Sequence, residues 1–137
     1  ALQDLKGKVV VVDFWATWCG PCINSFPGMQ QMVDKYKVDK GVAFVFIDTW
    51  ETIDNREQAV KDFIAKKGYT FQVLYDQVKP KSEEFQVVTE YGVEGIPTKF
   101  VLDPNGKIAF KSVGYNANLE AMMSELDLMI DIARENK

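Results

Sequence analysis

Val9-Val10-Val11-Val12-Asp13-Phe14-Trp15-Ala16-Thr17-Trp18-Cys19-Gly20-Pro21-Cys22 is the stretch that decides the fold. Its first half is an almost unbroken β-branched and aromatic run, the pattern of a strand buried on both faces. Its second half carries the only two cysteines of the chain, two residues apart. A helical pattern follows from about Ile23 to Tyr36, with Cys22, Phe26, Met29, Met32 or Val33, and Tyr36 at helical spacing. Two thiols therefore sit on one turn, where a strand hands over to a helix. Pro27 falls inside that helix and is expected to kink it, because it has no N–H to give.

That placement has chemical consequences. The thiolate is the nucleophile in disulfide exchange. Cys19 at a helix N-terminus meets unpaired N–H groups and the positive end of the helix dipole, which favour negative charge. Cys22, one turn further in, is expected to be more buried and within bonding reach of Cys19. Cys19 is thus the expected attacking thiol and Cys22 the resolving one. Pro21 suits the first turn of a helix and stiffens the spacing. A zinc site needs two further ligands, and the sequence holds no other cysteine and no histidine. A purely structural disulfide is a poor reading, since so short a loop constrains little of the unfolded chain.

Asp13 is a lone carboxylate in an apolar strand. It is either solvated on an edge or buried and functional. Burial raises its pKa towards neutrality, and it is then placed to take the proton of Cys22 as that thiol attacks.

Outside this stretch the chain alternates strands and helices. Val42–Ile47 reads as a second buried strand, ending at Asp48. Asp54-x-x-Glu57 reads as a capping box opening a helix with Val60, Phe63 and Ile64 on one face, closed by Lys66, Lys67 and Gly68. Phe71–Tyr75 is a short strand. Gln77–Lys81 is a polar loop, and Ser82 is the expected cap of a helix running to Tyr91. Thr98–Leu102 and Lys107–Val113 form a hairpin across Asp103-Pro104-Asn105-Gly106. A last helix from about Asn118 shows Leu119, Met122, Met123, Leu126, Met129, Ile130 and Ala133 as one core stripe. The order β-α-β-α-β-α-β-β-α implies parallel pairing, helices on both faces and an antiparallel hairpin at the end.

The 137 residues suffice for one domain, and no repeat or linker divides residues 1–137. A net charge of −4 argues against nucleic acid. No apolar run approaches a membrane span. Ala1-Leu2-Gln3-Asp4 lacks the pattern of a signal peptide.

Val12–Cys22 resembles the active-site segment of the thioredoxin superfamily almost residue for residue. Gly95-Ile96-Pro97-Thr98 resembles its cis-proline segment, and Asp103–Lys107 with Gly114 its closing hairpin. The αβ stretch at about 54–75 is absent from a minimal thioredoxin and is similar to the TlpA/ResA-like branch. The resemblance implies an α/β thioredoxin-like fold: a central mixed sheet flanked by helices, with that αβ unit inserted. It implies a thiol–disulfide oxidoreductase that needs no cofactor beyond a redox-active Cys19–Cys22 disulfide. Catalytic residues would be Cys19, Cys22 and Asp13. Trp18, Gly20, Pro21, Ile96 and a cis Pro97 would meet the substrate. The partners implied are disulfide-containing protein clients and an upstream dithiol donor, which in this branch can be membrane-bound. The setting implied is periplasmic or otherwise extracytoplasmic, for a monomer, with an anchor before Ala1 compatible with the branch. Cytochrome maturation is one role in that setting.

Two departures matter. Some members of the branch have a glutamate three residues after the second cysteine, where this chain has Ser25. The lysine that neighbours the buried aspartate in thioredoxins falls at Phe44, so Asp13 is expected to lack its cation. Gly20-Pro21 between the cysteines matches reducing members rather than strongly oxidising ones. An oxidase or isomerase, and a redox-switched binding module without turnover, are the alternatives. A peroxidase would need a Thr-x-x-Cys pocket with an arginine, and Trp18 fills the space before Cys19.

Overall fold

Nine elements form among the described residues, in the order the sequence predicts. They are β1 (Val9–Trp15), α1 (Gly20–Lys35), β2 (Val42–Asp48), α2 (Arg56–Lys67), β3 (Val73–Tyr75), α3 (Gln86–Glu90), β4 (Thr98–Leu102), β5 (Ile108–Val113) and α4 (Leu119–Arg134). The structure is a computed structural model that describes residues 5–79 and 84–136. The five strands make one sheet in the order β3-β2-β1-β4-β5. β1 and β2 are parallel, as are β2 and β3; β4 runs antiparallel to β1, and β5 to β4. The expected mixed sheet is found.

β1 lies at the centre, and all seven of its residues are buried. Alternation divides them between two faces. Val9, Val11 and Trp15 join the larger core with Phe26, Met29 and Met32 of α1, Val60 of α2 and Leu126 and Ile130 of α4. Val10, Val12 and Phe14 point the other way, towards Val88 of α3 and Val93. Both faces are covered, but unequally: three helices pack on one and the short α3 on the other. Phe26 anchors the larger core, with Trp15 and Phe71 rings each 5.0 Å away and Phe46 at 5.9 Å. Such a fully buried ring contributes about 1.5–3 kcal/mol. α1 and α4 approach closely at Gly28, where a Cβ would stand 2.9 Å from Leu119 and Met122. The helix continues through Pro27.

The structure corrects several local expectations. The capping box at Asp54 and Glu57 does not form. Helix α2 starts one residue later, with Asn55 as its N-cap and no side-chain cap bond, so Glu57 is not at the position a capping box requires. The expected strand from Phe71 shrinks to three residues. Phe71 instead stacks on Phe46, with ring centroids 3.9 Å apart. Ser82 and Pro80 lie outside the described residues. Helix α3 begins only at Gln86, and its second and third N–H groups, on Val87 and Val88, donate to the Asp76 carboxylate at 2.6 and 2.9 Å. A carboxylate from the preceding strand end thus does the work of an N-cap. Gly68 closes α2 in the left-handed conformation, and Asn118 caps α4 by accepting from the Ala121 N–H.

Candidate active site

The two cysteines stand where the strand-to-helix handover put them. Cys19 is the N-cap of α1, its sulfur accepting from the Cys22 N–H at 3.2 Å. The pair is joined as a disulfide with Cα atoms 5.3 Å apart. Cys19 is 3% exposed and Cys22 is fully buried. Gly20 and Pro21 are exposed at the start of α1. Ser25 is buried and donates to the Cys22 carbonyl at 2.7 Å, so it serves the helix backbone and supplies no acid.

Trp18 is 57% exposed, and its indole N–H donates to the Trp50 carbonyl at 2.9 Å. The Ile96–Pro97 peptide is cis, as the resemblance implied. Pro97 is buried and Ile96 half-buried, packed against the core cluster that contains both cysteines.

Asp13 is 1% exposed. Its place between Val11 and Trp15 turns it towards the cysteine side of the sheet. The expectation that it lacks a cation is overturned. Lys99 of β4, itself 4% exposed, brings its Nζ to 3.8 Å from Asp13 Oδ2. Asp13 pairs with Lys99 on one side and Phe46 on the other, while Phe44 lies opposite Val11. The cation comes from the strand on the opposite side of β1. At 3.8 Å the contact is an ion pair and too long for a hydrogen bond, and neither carboxylate oxygen has a hydrogen-bond partner among the described residues. Burial therefore prevails over the lysine's opposing pull, and the Asp13 carboxyl is pushed up to about 6.

Sequence reasoning missed a second group of acids. Glu51, 8% exposed, accepts from the Thr17 N–H at 2.8 Å and from the Thr17 hydroxyl at 2.7 Å. Trp50, beside it, holds a left-handed φ of 53°, a conformation bulky residues avoid. The loop after β2 thus grips the loop before Cys19 through three hydrogen bonds. Asp48, fully buried, adjoins Glu51. Its carboxyl is pushed up to about 9, by burial first, then by Glu51 and Asp76 against the pull of Arg56. At neutral pH it holds its proton and gives Glu51 a donor. The available signal was Asp48 and Glu51 themselves, acids at the end of a buried strand.

This arrangement has a stability consequence. The folded state holds the Asp48 proton up to about pH 9, whereas the unfolded chain loses it near 3.8. Stability therefore falls with rising pH across that window. Asp48→Asn keeps a donor towards Glu51 and has no proton to lose. Its melting temperature is expected to exceed wild type by a margin that grows from pH 4 to pH 9. Parallel melting curves across that range would dismiss the assignment.

The Redoxin family model matches residues 1–127. The chain belongs to the redoxin family. It is 38% identical over 113 residues to the thiol-disulfide oxidoreductase ResA of Bacillus anthracis, covering 82% of this chain and 59% of that protein. It is 36% identical over 107 residues to ResA of Bacillus subtilis, covering 78% and 54%. The chain thus spans under three-fifths of these relatives' length. Among solved structures, a candidate thiol:disulfide interchange protein DsbE from Chlorobium tepidum superposes with a TM-score of 0.75 at 39% identity, covering 96% of this chain and 84% of that one. StoA from Bacillus subtilis superposes at 0.68 with 30% identity, covering 87% and 82%. The redoxin chain therefore has the thioredoxin-like fold and the ResA-like affinity that its motifs implied.

Proposed function

We propose that this redoxin is a thiol–disulfide oxidoreductase that reduces disulfides in extracytoplasmic protein clients. The observation that carries the reading is Cys19 as the N-cap of α1, its sulfur hydrogen-bonded by the Cys22 N–H and bonded to the Cys22 sulfur. A helix N-terminus favours the thiolate over the thiol. In the reduced protein, the Cys19 thiolate attacks a client disulfide. A Cys19–client bond forms, and one client thiolate leaves. Cys22 then gives its proton to Asp13 and attacks the Cys19 sulfur. The second client thiolate leaves, and the protein holds the Cys19–Cys22 disulfide. An upstream dithiol donor, supplied by a partner, reduces it again. Clients would lie across Trp18, Gly20 and Pro21, pair with the Ile96 backbone and abut Pro97.

The acid–base role falls to Asp13 because Ser25 is engaged with backbone and Asp48 with Glu51. A peroxidase is a weaker reading. The sequence's two arginines are engaged elsewhere: Arg56 donates to the Asp76 carbonyl, and Arg134 binds Asp39 at 2.9 Å.

The reduction potential of Cys19–Cys22, set by equilibration with dithiothreitol or glutathione, tests the reading. A value at or below about −250 mV, near thioredoxin's, is expected; one above about −180 mV belongs to a disulfide donor or isomerase and would overturn it. Insulin reduction by the reduced protein separates an enzyme from a redox-switched binding module.

A further inference from the structure

Asp13, Lys99 and Ser112 stand in one row across three adjacent strands. Asp13 of β1 lies opposite Lys99 of β4, and Lys99 lies opposite Ser112 of β5, the edge strand. Cross-strand partners share a face, so all three point to the side covered by α1 and α4. The buried end is Asp13, 1% exposed, and the outer end is the half-buried Ser112. Beside Lys99 and Ser112 lies a cavity of about 20 Å³, bounded by Met122, Met129 and the exposed Glu125 of α4. One water needs about 10–15 Å³ and polar partners. Lys99, Ser112 and Glu125 supply those partners.

We infer that Lys99 and Ser112 form a lateral proton route that carries the Asp13 proton to solvent at the sheet edge. The inference rests on the proposed role of Asp13 as proton acceptor. The proton it accepts must leave before the next turnover. The cysteine side is then covered by the client, whereas the β5 edge stays open. A water in the cavity relays one N–H proton of Lys99 to the Glu125 carboxylate, which releases it to bulk solvent beside Ser112. Lys99 then takes the O–H proton of Asp13, which leaves a carboxylate. Lys99 ends as it began, and one proton has moved from carboxyl to solvent. The other groups on this face of the sheet offer no such exit. Phe46 from β2 is apolar, Ser25 of α1 gives its hydroxyl to the Cys22 carbonyl, and Cys22 of α1 is the proton's source.

The test uses the oxidised protein, labelled with ¹³C at aspartate carboxyls, without client. Relaxation of the Asp13 resonance near its titration midpoint gives its proton exchange rate. Ser112→Val, at a half-buried edge position suited to a β-branched residue, fills the cavity. It is expected to slow exchange about tenfold or more with the disulfide intact. Lys99→Met is expected to slow it as well, and to raise the midpoint by about one unit or more. Slowing in every variant that folds supports the route; wild-type exchange in either overturns it. Because neither thiol nor client is present, this result is independent of whether Asp13 acts in catalysis, which the kinetics of Asp13→Asn decide.

Discussion

Cys22→Ser is expected to accumulate client proteins bound covalently through Cys19, while turnover in an insulin-reduction assay falls by about three orders of magnitude or more. The two sulfurs are not equivalent. Cys19 is the N-cap residue, and its sulfur receives the Cys22 N–H. Serine at position 22 keeps that backbone N–H and the helix, so the first attack survives. It lacks the sulfur that would displace the client, so the mixed disulfide persists. Non-reducing gels should show adducts that dithiothreitol releases. Cys19→Ser should show none, because Cys22 is fully buried and a client disulfide cannot reach it. Adducts on Cys22 in the Cys19→Ser protein, or adducts in neither variant, would reverse or remove the assignment of roles.

The frame of this site was legible because it depends on short-range rules. A β-branched run made β1, a proline at the first turn set the start of α1, and the helix start placed Cys19 as the cap. Each of these needs only neighbours in sequence. What escaped was set by register between distant strands. Lys99 was visible as a lone charge in the apolar strand Thr98–Leu102, the same signal that marked Asp13. Nothing local, however, says that position 99 falls opposite position 13. The analogy with thioredoxin pointed to Phe44, one strand away on the wrong side and two residues out of step, since Phe46 is the β2 partner of Asp13. The acids Asp48, Glu51 and Asp76 escaped for a similar reason. Asp76 caps α3 from eleven residues before Val87, and Glu51 holds Thr17 across 34 residues. Where side-chain bonds of this kind replace a local cap, as Asp76 does at Phe85, the expected start of a helix moves by several residues.

Asp13→Asn is expected to slow the attack of Cys22 on Cys19 by about a hundredfold at pH 7, the usual size of a positioned general base. The first attack on the client should change little, because the Cys19 sulfur is stabilised by the helix N-terminus and not by a carboxylate. The pH profile carries the distinguishing evidence. Only ionised Asp13 can accept a proton, and its carboxyl is pushed up to about 6 by burial against the opposing Lys99. The resolution rate of wild type should therefore rise through pH 6 and flatten above it, whereas the asparagine variant should lack that rise. Folding stability supplies a second reading of the same group. The folded state holds the Asp13 proton to about 6 and the unfolded chain only to 3.8, so wild type should lose about 3 kcal/mol between those values and none above them. Asp13→Asn alone strands Lys99 in the core without its anion, which offsets the gain. Asp13→Asn with Lys99→Met removes both charges and should be the more stable protein at pH 7. Stopped-flow rates that are unchanged in both steps would take Asp13 out of the mechanism. A stability gain in the double variant beside unchanged rates would make the pair a structural burden and not a catalytic one. Slowed resolution together with that gain is the expected outcome: a buried carboxylate that costs the fold stability and is held there for the proton it accepts.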